Sequence, residues 1–257
     1  MGRPCGPFFA VNRRHFCKDC TMVRILFQTG GPYHPVGRQA ELLQSWLPAD
    51  WRIETAFGAD VFDQLAEVDL YVAAGLHGME LEEALPAEAW TSAGVAPHGY
   101  TRPTERQKDG FRHYVAAGRP VLAFHGGIVS YGDWPEYGRL LGFRWDRGYT
   151  GHSRCAEWKV QVDTDRHPVV AGVRDYVVHD ELYYNVVIPP ELEVQVHARA
   201  LFAEWVTFPM VLTAEGGAGR CPGAGKTAYL ANGHSMQSME PPAIRQLCLN
   251  TLRWLLT

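Results

Sequence analysis

The sequence predicts an α/β protein: a mostly parallel sheet with helices on both faces and a β-rich insertion in the second half. Three observations predict it. Short apolar runs in the first half stop at glycines, as buried parallel strands do. Stretches with helical spacing alternate with these runs, which argues for a sheet covered on both faces. From Ala156 to Leu201 the pattern turns β-rich. The 257 residues, 46% hydrophobic and 20% charged, suffice to bury the core of one large domain.

In chain order, Val23 to Gly30 is the first strand and Pro35 to Leu47 the first helix, with Val36, Ala40, Leu43 and Leu47 on one stripe. Trp51–Gly58 and Val68–Gly75 read as strands, with a short helix over Asp60–Ala66 between them. Met79 to Trp90 is helical or irregular, and Gly94 to Pro103 is loop by its glycine and proline content. Thr104-Glu-Arg-Gln107 has the form of a capping box, ahead of a helix that buries Phe111, Tyr114 and Val115 and ends at Gly118. Pro120–Phe124 is a strand, and Asp133–Leu141 a helix. Trp158–Val162, Tyr176–Tyr184 and Glu193–Leu201 are the strands of the insertion. Pro209–Ala214 and Lys226–Ala231 form a hairpin around a glycine-rich turn. Pro241–Leu256 closes the chain as a helix, with Ile244, Leu247, Cys248, Leu252 and Leu255 inward.

Charge narrows the function classes. Lysine and arginine number 24 against 28 acidic residues, a net charge of -4, so no basic face is expected for nucleic acid. No apolar run approaches the ~20 residues that cross a bilayer. The expected partner is a small molecule, and a homo-oligomer is the default assembly. Of the six cysteines, three fall at Cys5, Cys17 and Cys20. Cys17-Lys-Asp-Cys20 near His15 is a lone CxxC without a second pair, a weak zinc signal. Residues 1–21 read as a disordered extension, with Met22 as an alternative start, and 22–257 as one domain. Pro4, Gly6 and Pro7 interrupt any apolar leader, so reduced thiols and a cytoplasmic location are expected.

The histidines carry the chemistry. His34, His77, His125 and His234 each follow a predicted strand, and His179, Asp180 and Glu181 lie together in another. In open parallel sheets ligands bind beyond the carboxyl ends of the strands. One such histidine alone is more readily a partly exposed loop residue, or a core group bonded to backbone. Four in equivalent positions point to acid/base chemistry or a divalent metal. Glycines beside them (Gly30, Gly31, Gly75, Gly78, Gly126, Gly127 and Gly233) permit close approach of a ligand to the backbone. Gly219 to Thr227 imitates a phosphate-binding loop, but the motif needs glycine where Arg220 stands, and a strand follows instead of a helix. Gly151-His152-Ser153 lacks a nucleophile-elbow context yet suits a pocket loop. Trp134, Tyr149, Trp158, Tyr183, Tyr184 and Trp205 offer flat faces suited to sugar rings.

Six motifs in order carry a family resemblance. They are Val121-Leu-Ala-Phe-His125-Gly-Gly, Gly148-Tyr-Thr-Gly-His-Ser153, His167-Pro-Val-Val-Ala-Gly172, Asp180-Glu-Leu-Tyr183, Pro209-Met-Val-Leu-Thr213 and Tyr229-Leu-Ala-Asn-Gly-His234. With the closing helix ending Asn250-Thr-Leu-Arg-Trp254, they resemble the ThuA-like (trehalose utilisation) family from about Val23 to Leu256. The resemblance implies a flavodoxin-like, class I glutamine amidotransferase-like fold. In amidotransferases the turn after a central strand holds a nucleophilic cysteine; here that turn is Phe124-His125-Gly126. Cys155, Cys221 and Cys248 stand in other contexts, so the chain is not expected to be a working glutamine amidotransferase. The family is associated with use of disaccharides and with keto-sugars made alongside a dehydrogenase.

The expectation is therefore a cytoplasmic protein of carbohydrate metabolism acting on a disaccharide or keto-sugar, without a cysteine nucleophile. His125, His234 and Glu181 are the expected catalytic groups. His77, His125, Glu181 and His234 are the expected ligands of a divalent metal, zinc first. Gly126, Gly127, His152, Asp180 and Tyr183 are expected to contact substrate, with Asp180 placed behind Glu181. With no GxGxxG after the first strand, no nicotinamide or nucleotide is expected. The competing expectations are a non-catalytic sugar-binding or accessory subunit of a sugar dehydrogenase, and a metal-dependent amidase-like hydrolase.

Overall fold

The computed structural model describes residues 22–78, 85–163 and 167–257. The lone CxxC, the expected extension 1–21 and part of the uncertain Met79–Trp90 stretch lie outside them.

The apolar runs become the strands of one sheet. β1 (Val23–Thr29), β2 (Trp51–Phe57), β3 (Leu70–Ala73), β4 (Val121–Phe124) and β11 (Thr227–Leu230) are its parallel core, in the order β2-β1-β3-β4-β11. That is the flavodoxin-like order, with the reversal at β1/β3. Period-two alternation sorts β1 between two cores. Ile25 and Phe27 join α1 (Val36–Trp46) and α5 (Pro242–Leu255), while Leu26 joins Phe62, Phe111 and Tyr137 on the opposite face.

That opposite face is built by α3 (Glu105–Ala116), α4 (Pro135–Leu141) and the 3-10 turns at 58–67, where a helix was expected. The capping box forms as read: Gln107 N–H donates to the Thr104 hydroxyl, and the Gln107 side chain accepts from Thr104 N–H. The uncertain segment yields α2 (Ala87–Ala93), closed by Gly94 at φ +73°.

The insertion continues the sheet. β6 (Ala156–Val162), β7 (Tyr176–Asp180), β9 (Gln195–Ala203) and β10 (Val206–Ala214) add antiparallel strands in the order β11-β10-β9-β6-β7. The strand expected over Tyr176–Tyr184 is broken. β7 stops at Asp180, Glu181 and Leu182 leave the ladder, and β8 (Tyr183–Tyr184) pairs with β5 (Gly151–His152) in a separate two-stranded piece. β7 is four places from β11 in strand order, yet its end returns to the loop after β11. Hydrogen bonds between the two hold Glu181 beside the loop that follows β11, at the carboxyl end of the parallel strands. Among the described residues no helix is long and apolar enough to cross a membrane.

Candidate metal centre

Each side chain reaches the centre by a local device. His125 is the first residue past β4 and sits at φ +39°, in the left-handed region that a non-glycine residue rarely occupies. Its Nδ1 lies 2.6 Å from the Ala231 carbonyl. A carbonyl only accepts, so Nδ1 carries the proton and Nε2 keeps a lone pair. Nε2 is buried without a hydrogen-bond partner, 3.8 Å from Glu181 Oε2. His34 arrives through the Gly30–Gly31 turn after β1. Its ring stands edge-on to His125 at 4.7 Å and to His234 at 5.1 Å. Gly126 makes room for that ring, since a Cβ there would sit 2.8 Å from His34 Cε1. His234 follows Gly233, whose φ of +140° only glycine adopts readily.

Asp180 is the clamp. Fully buried, it accepts four N–H groups: Glu181 N at 2.9 Å and His234 N at 3.2 Å on Oδ1, and Gly233 N at 2.9 Å and Asn232 Nδ2 at 3.2 Å on Oδ2. These bonds tie the end of β7 to the loop after β11 and fix Glu181 against His234. The expected substrate contact is not available to it, because protein donors take both oxygens. Asp180 is a positioning residue.

One donor atom each from His34, His125, Glu181 and His234 lies within 4.8 Å of the other three. Ligands 2.0–2.1 Å from a tetrahedral ion stand about 3.3 Å apart. The His234 Nδ1–Glu181 Oε2 separation of 3.2 Å and the His125 Nε2–Glu181 Oε2 separation of 3.8 Å bracket that spacing. The nitrogens are also available: His34 Nδ1 and His125 Nε2 are buried without a hydrogen-bond partner, and His234 Nδ1, equally buried, has only the Glu181 carboxylate beside it. Buried polar atoms seldom go unpaired, so the donor set fits a divalent cation.

Electrostatics keeps His34, His125 and Glu181 in ligating form. Burial, then repulsion from His125 and His234, holds His34 well below the ordinary histidine range. Burial likewise lowers His125, although Asp180 pulls the other way. Neutral imidazole is the form that binds metal. For Glu181, burial acts to raise the carboxyl, but the close approach of His152 and His234 outweighs it and holds the group below the usual carboxylate range. His152 moves upward, through its hydrogen bond to Glu181 against a smaller effect of burial. Its Nδ1 lies 3.1 Å from Glu181 Oε1 and 2.9 Å from the Ser153 carbonyl, and its side chain is 49% exposed. Glu181 thus turns Oε2 to the cluster and Oε1 to the rim.

The structure brings together three of the four expected ligands and replaces the fourth. His77 lies elsewhere, its Nε2 3.0 Å from the Thr29 carbonyl and its ring stacked on Tyr131. His34 stands in the cluster in its place. The signal for His34 was the one that marked the others, a glycine turn after a parallel strand. Tyr183 covers His125, with ring centroids 4.6 Å apart, and Gly126 and His152 adjoin the cluster. Gly127 instead abuts the Ala73 carbonyl of β3.

Among the described residues no thiol is activated for the role. Burial, then the charges of Glu181 and Asp180, push Cys155 up to about 11, and burial takes Cys248 to about 12. The imitation phosphate loop is structural. Arg220 is buried and donates to the Leu140 and Gly225 carbonyls, and Lys226 Nζ donates to the Trp254 carbonyl. A cleft of about 560 Å³ lies away from the cluster, between α1, the edge strand β2 and the end of α2.

The same architecture occurs in solved structures. A ThuA-like protein from Parabacteroides merdae superimposes with a TM-score of 0.66 at 17% identity, covering 91% of this chain and 90% of that one. A ThuA-like protein from Bacteroides uniformis gives 0.62 at 16% identity, over 95% and 94% of the two chains. A protein from Salmonella typhimurium described as cytoplasmic gives 0.56 at 15%, over 90% and 98%. At these identities the likeness concerns the fold. No curated protein matches the chain. The family model for ThuA, trehalose utilisation, matches residues 89–255, which hold His125, Glu181, His234 and the whole Asp180 clamp. By that match the chain belongs to the ThuA family, which ties it to carbohydrate metabolism of the trehalose-utilisation kind.

Proposed function

We propose that the protein is a metal-assisted enzyme acting on a disaccharide or keto-sugar, with His34, His125, Glu181 and His234 holding a divalent ion, zinc first. The observation that carries this reading is the set of three buried imidazole nitrogens, none bonded outside the cluster, gathered with one carboxylate. Such an ion, when bound, supplies Lewis acidity toward a sugar hydroxyl or carbonyl oxygen.

The chain's own groups do the rest. Asp180 holds Glu181 and His234 in register, and Ala231 fixes the His125 tautomer. His152 is the titratable group of the site most open to solvent, and its tie to Glu181 favours the protonated ring. It is placed to give a proton to, and take one from, an oxygen of the bound sugar. Tyr183 closes the apolar side of His125. With His125 in the turn where an amidotransferase keeps its cysteine, thioester chemistry has no place.

Metal analysis of protein purified without a histidine tag, with turnover assays on trehalose and its 3-keto derivative with and without added zinc, tests the reading. One ion per chain is expected, lost together with turnover in the His125→Ala, His234→Ala double variant. Metal-free protein whose turnover survives that double substitution would overturn it. Stoichiometric metal with no turnover on any sugar would favour an accessory, non-catalytic role.

A further inference from the structure

The core face of the antiparallel strands runs out into solvent as a row of aromatic rings. On β6 and β9, Val160 stands opposite Ala200, both fully buried. Two residues outward on the same face are Trp158 and Phe202. Their rings stack at 5.7 Å and 29°. Phe202 meets Phe208 at 5.4 Å, and Phe208 meets Tyr184 at 5.7 Å. Phe202 is nevertheless 49% exposed, and Trp205 at the tip of the β9–β10 hairpin is 88% exposed.

This row is joined to the metal centre twice. Trp158 Nε1 donates to the Asp180 carbonyl at 2.9 Å, one residue from Glu181. Tyr184 lies over Gly151, whose neighbour His152 reaches Glu181 Oε1 at 3.1 Å. We propose that Trp158, Phe202, Phe208 and Tyr184 form a platform for the non-reacting ring of a di- or oligosaccharide whose other ring lies at the cluster. The proposal rests on the reading of that cluster as a site acting on sugars.

The chemistry favours a pyranose. A sugar ring presents an apolar C–H face that stacks on aromatic planes and hydroxyl edges that stay in water. None of the four platform residues is charged. A second copy of the chain fits the patch less well. Phe202, Trp205 and Val206 expose on the order of 400 Å² together, against the ~800 Å² per partner of a stable interface.

Calorimetric titration of the full-length, tag-free protein with glucose, trehalose, maltose and cellobiose, beside a zinc titration, decides the matter. At least one disaccharide should bind about tenfold more tightly than glucose. Phe202→Ala should weaken that disaccharide roughly three- to tenfold, Phe202→Tyr should restore it, and zinc affinity should stay put in both. Disaccharides no tighter than glucose, or a Phe202→Ala variant with unchanged binding, overturn the platform. So does a dimer that Phe202→Ala converts to monomer without touching sugar affinity. Zinc binding without a disaccharide preference sinks the platform and spares the metal centre; a disaccharide preference without zinc binding does the reverse.

Discussion

His77 and His125 end neighbouring parallel strands, and their surroundings are opposite. His77 is sunk among glycines: a Cβ on Gly75 would sit 2.7 Å from its Nε2, and one on Gly30 2.8 Å from its Cε1. Its own N–H donates to Ser130 Oγ at 2.9 Å, its carbonyl accepts from Tyr131 N at 2.7 Å, and its ring spends Nε2 on Thr29. His125 also spends one nitrogen on a carbonyl, but its other nitrogen faces a carboxylate and two imidazoles. Position at a strand end brings a histidine to the rim. What the second nitrogen meets separates a candidate ligand from a packed ring.

The largest effect expected from breaking this contrast is on metal binding. His125→Ala removes a proposed ligand outright, so zinc affinity measured by competition with a chromogenic chelator should fall by more than the 10- to 100-fold typical of supporting residues. Unchanged affinity would put His125 in the same packing class as His77. Asp180→Asn comes next. An amide keeps one acceptor oxygen where the carboxylate uses two, so the clamp on the Asn232–His234 loop loosens. Zinc affinity should drop about 10- to 100-fold, and the melting temperature should fall even in chelator-treated protein.

How far the sequence anticipates this centre follows from which forces are local. Strand ends, the Thr104 capping box and the β10–β11 hairpin are written in short windows, and all three form. The choice of His34 over His77 is not written there. Both follow a glycine after a parallel strand, and the distant contacts of one ring, with Phe57, Tyr131 and the Thr29 carbonyl, separate them. The break between β7 and β8 is also non-local. Tyr176 to Tyr184 has the composition of one strand, and Glu181 leaves the ladder because Asp180 is bound to a loop more than fifty residues away. The return of β7's end to the loop after β11 depends on strand order, which alternation within a strand does not encode.

A smaller effect concerns acid stability. Burial lowers His77 from the ordinary value near 6.5 to about 4. Between those values the unfolded chain binds a proton that the folded chain refuses, so stability declines as pH falls from 6.5 toward 4. The full loss is on the order of 3 kcal/mol. His77→Gln should flatten that acid limb in thermal melts from pH 7 to pH 4.5 while leaving zinc affinity as it was. A limb unchanged in the variant would mean that the ring accepts its proton freely in the folded state.

The finest separation of the cluster from the His77 crevice comes from a matched pair of glycine substitutions, one beside His34 and one beside His77. A Cβ on Gly126 would press on His34 at 2.8 Å, and one on Gly75 would press on His77 Nε2 at 2.7 Å. The insults are nearly equal, and neither glycine has positive φ, so backbone strain does not confuse the comparison. Gly126→Ala should shift a ligand by a few tenths of an ångström and reduce zinc affinity roughly as the loss of a supporting contact does, about tenfold. Gly75→Ala should disturb only the bond to Thr29 and leave zinc affinity within experimental error, with a lower melting temperature as its sole trace. If the two variants lose zinc equally, the crevices are mechanically coupled through the β1–β3–β4 rim, and His77 belongs to the support of the metal centre after all.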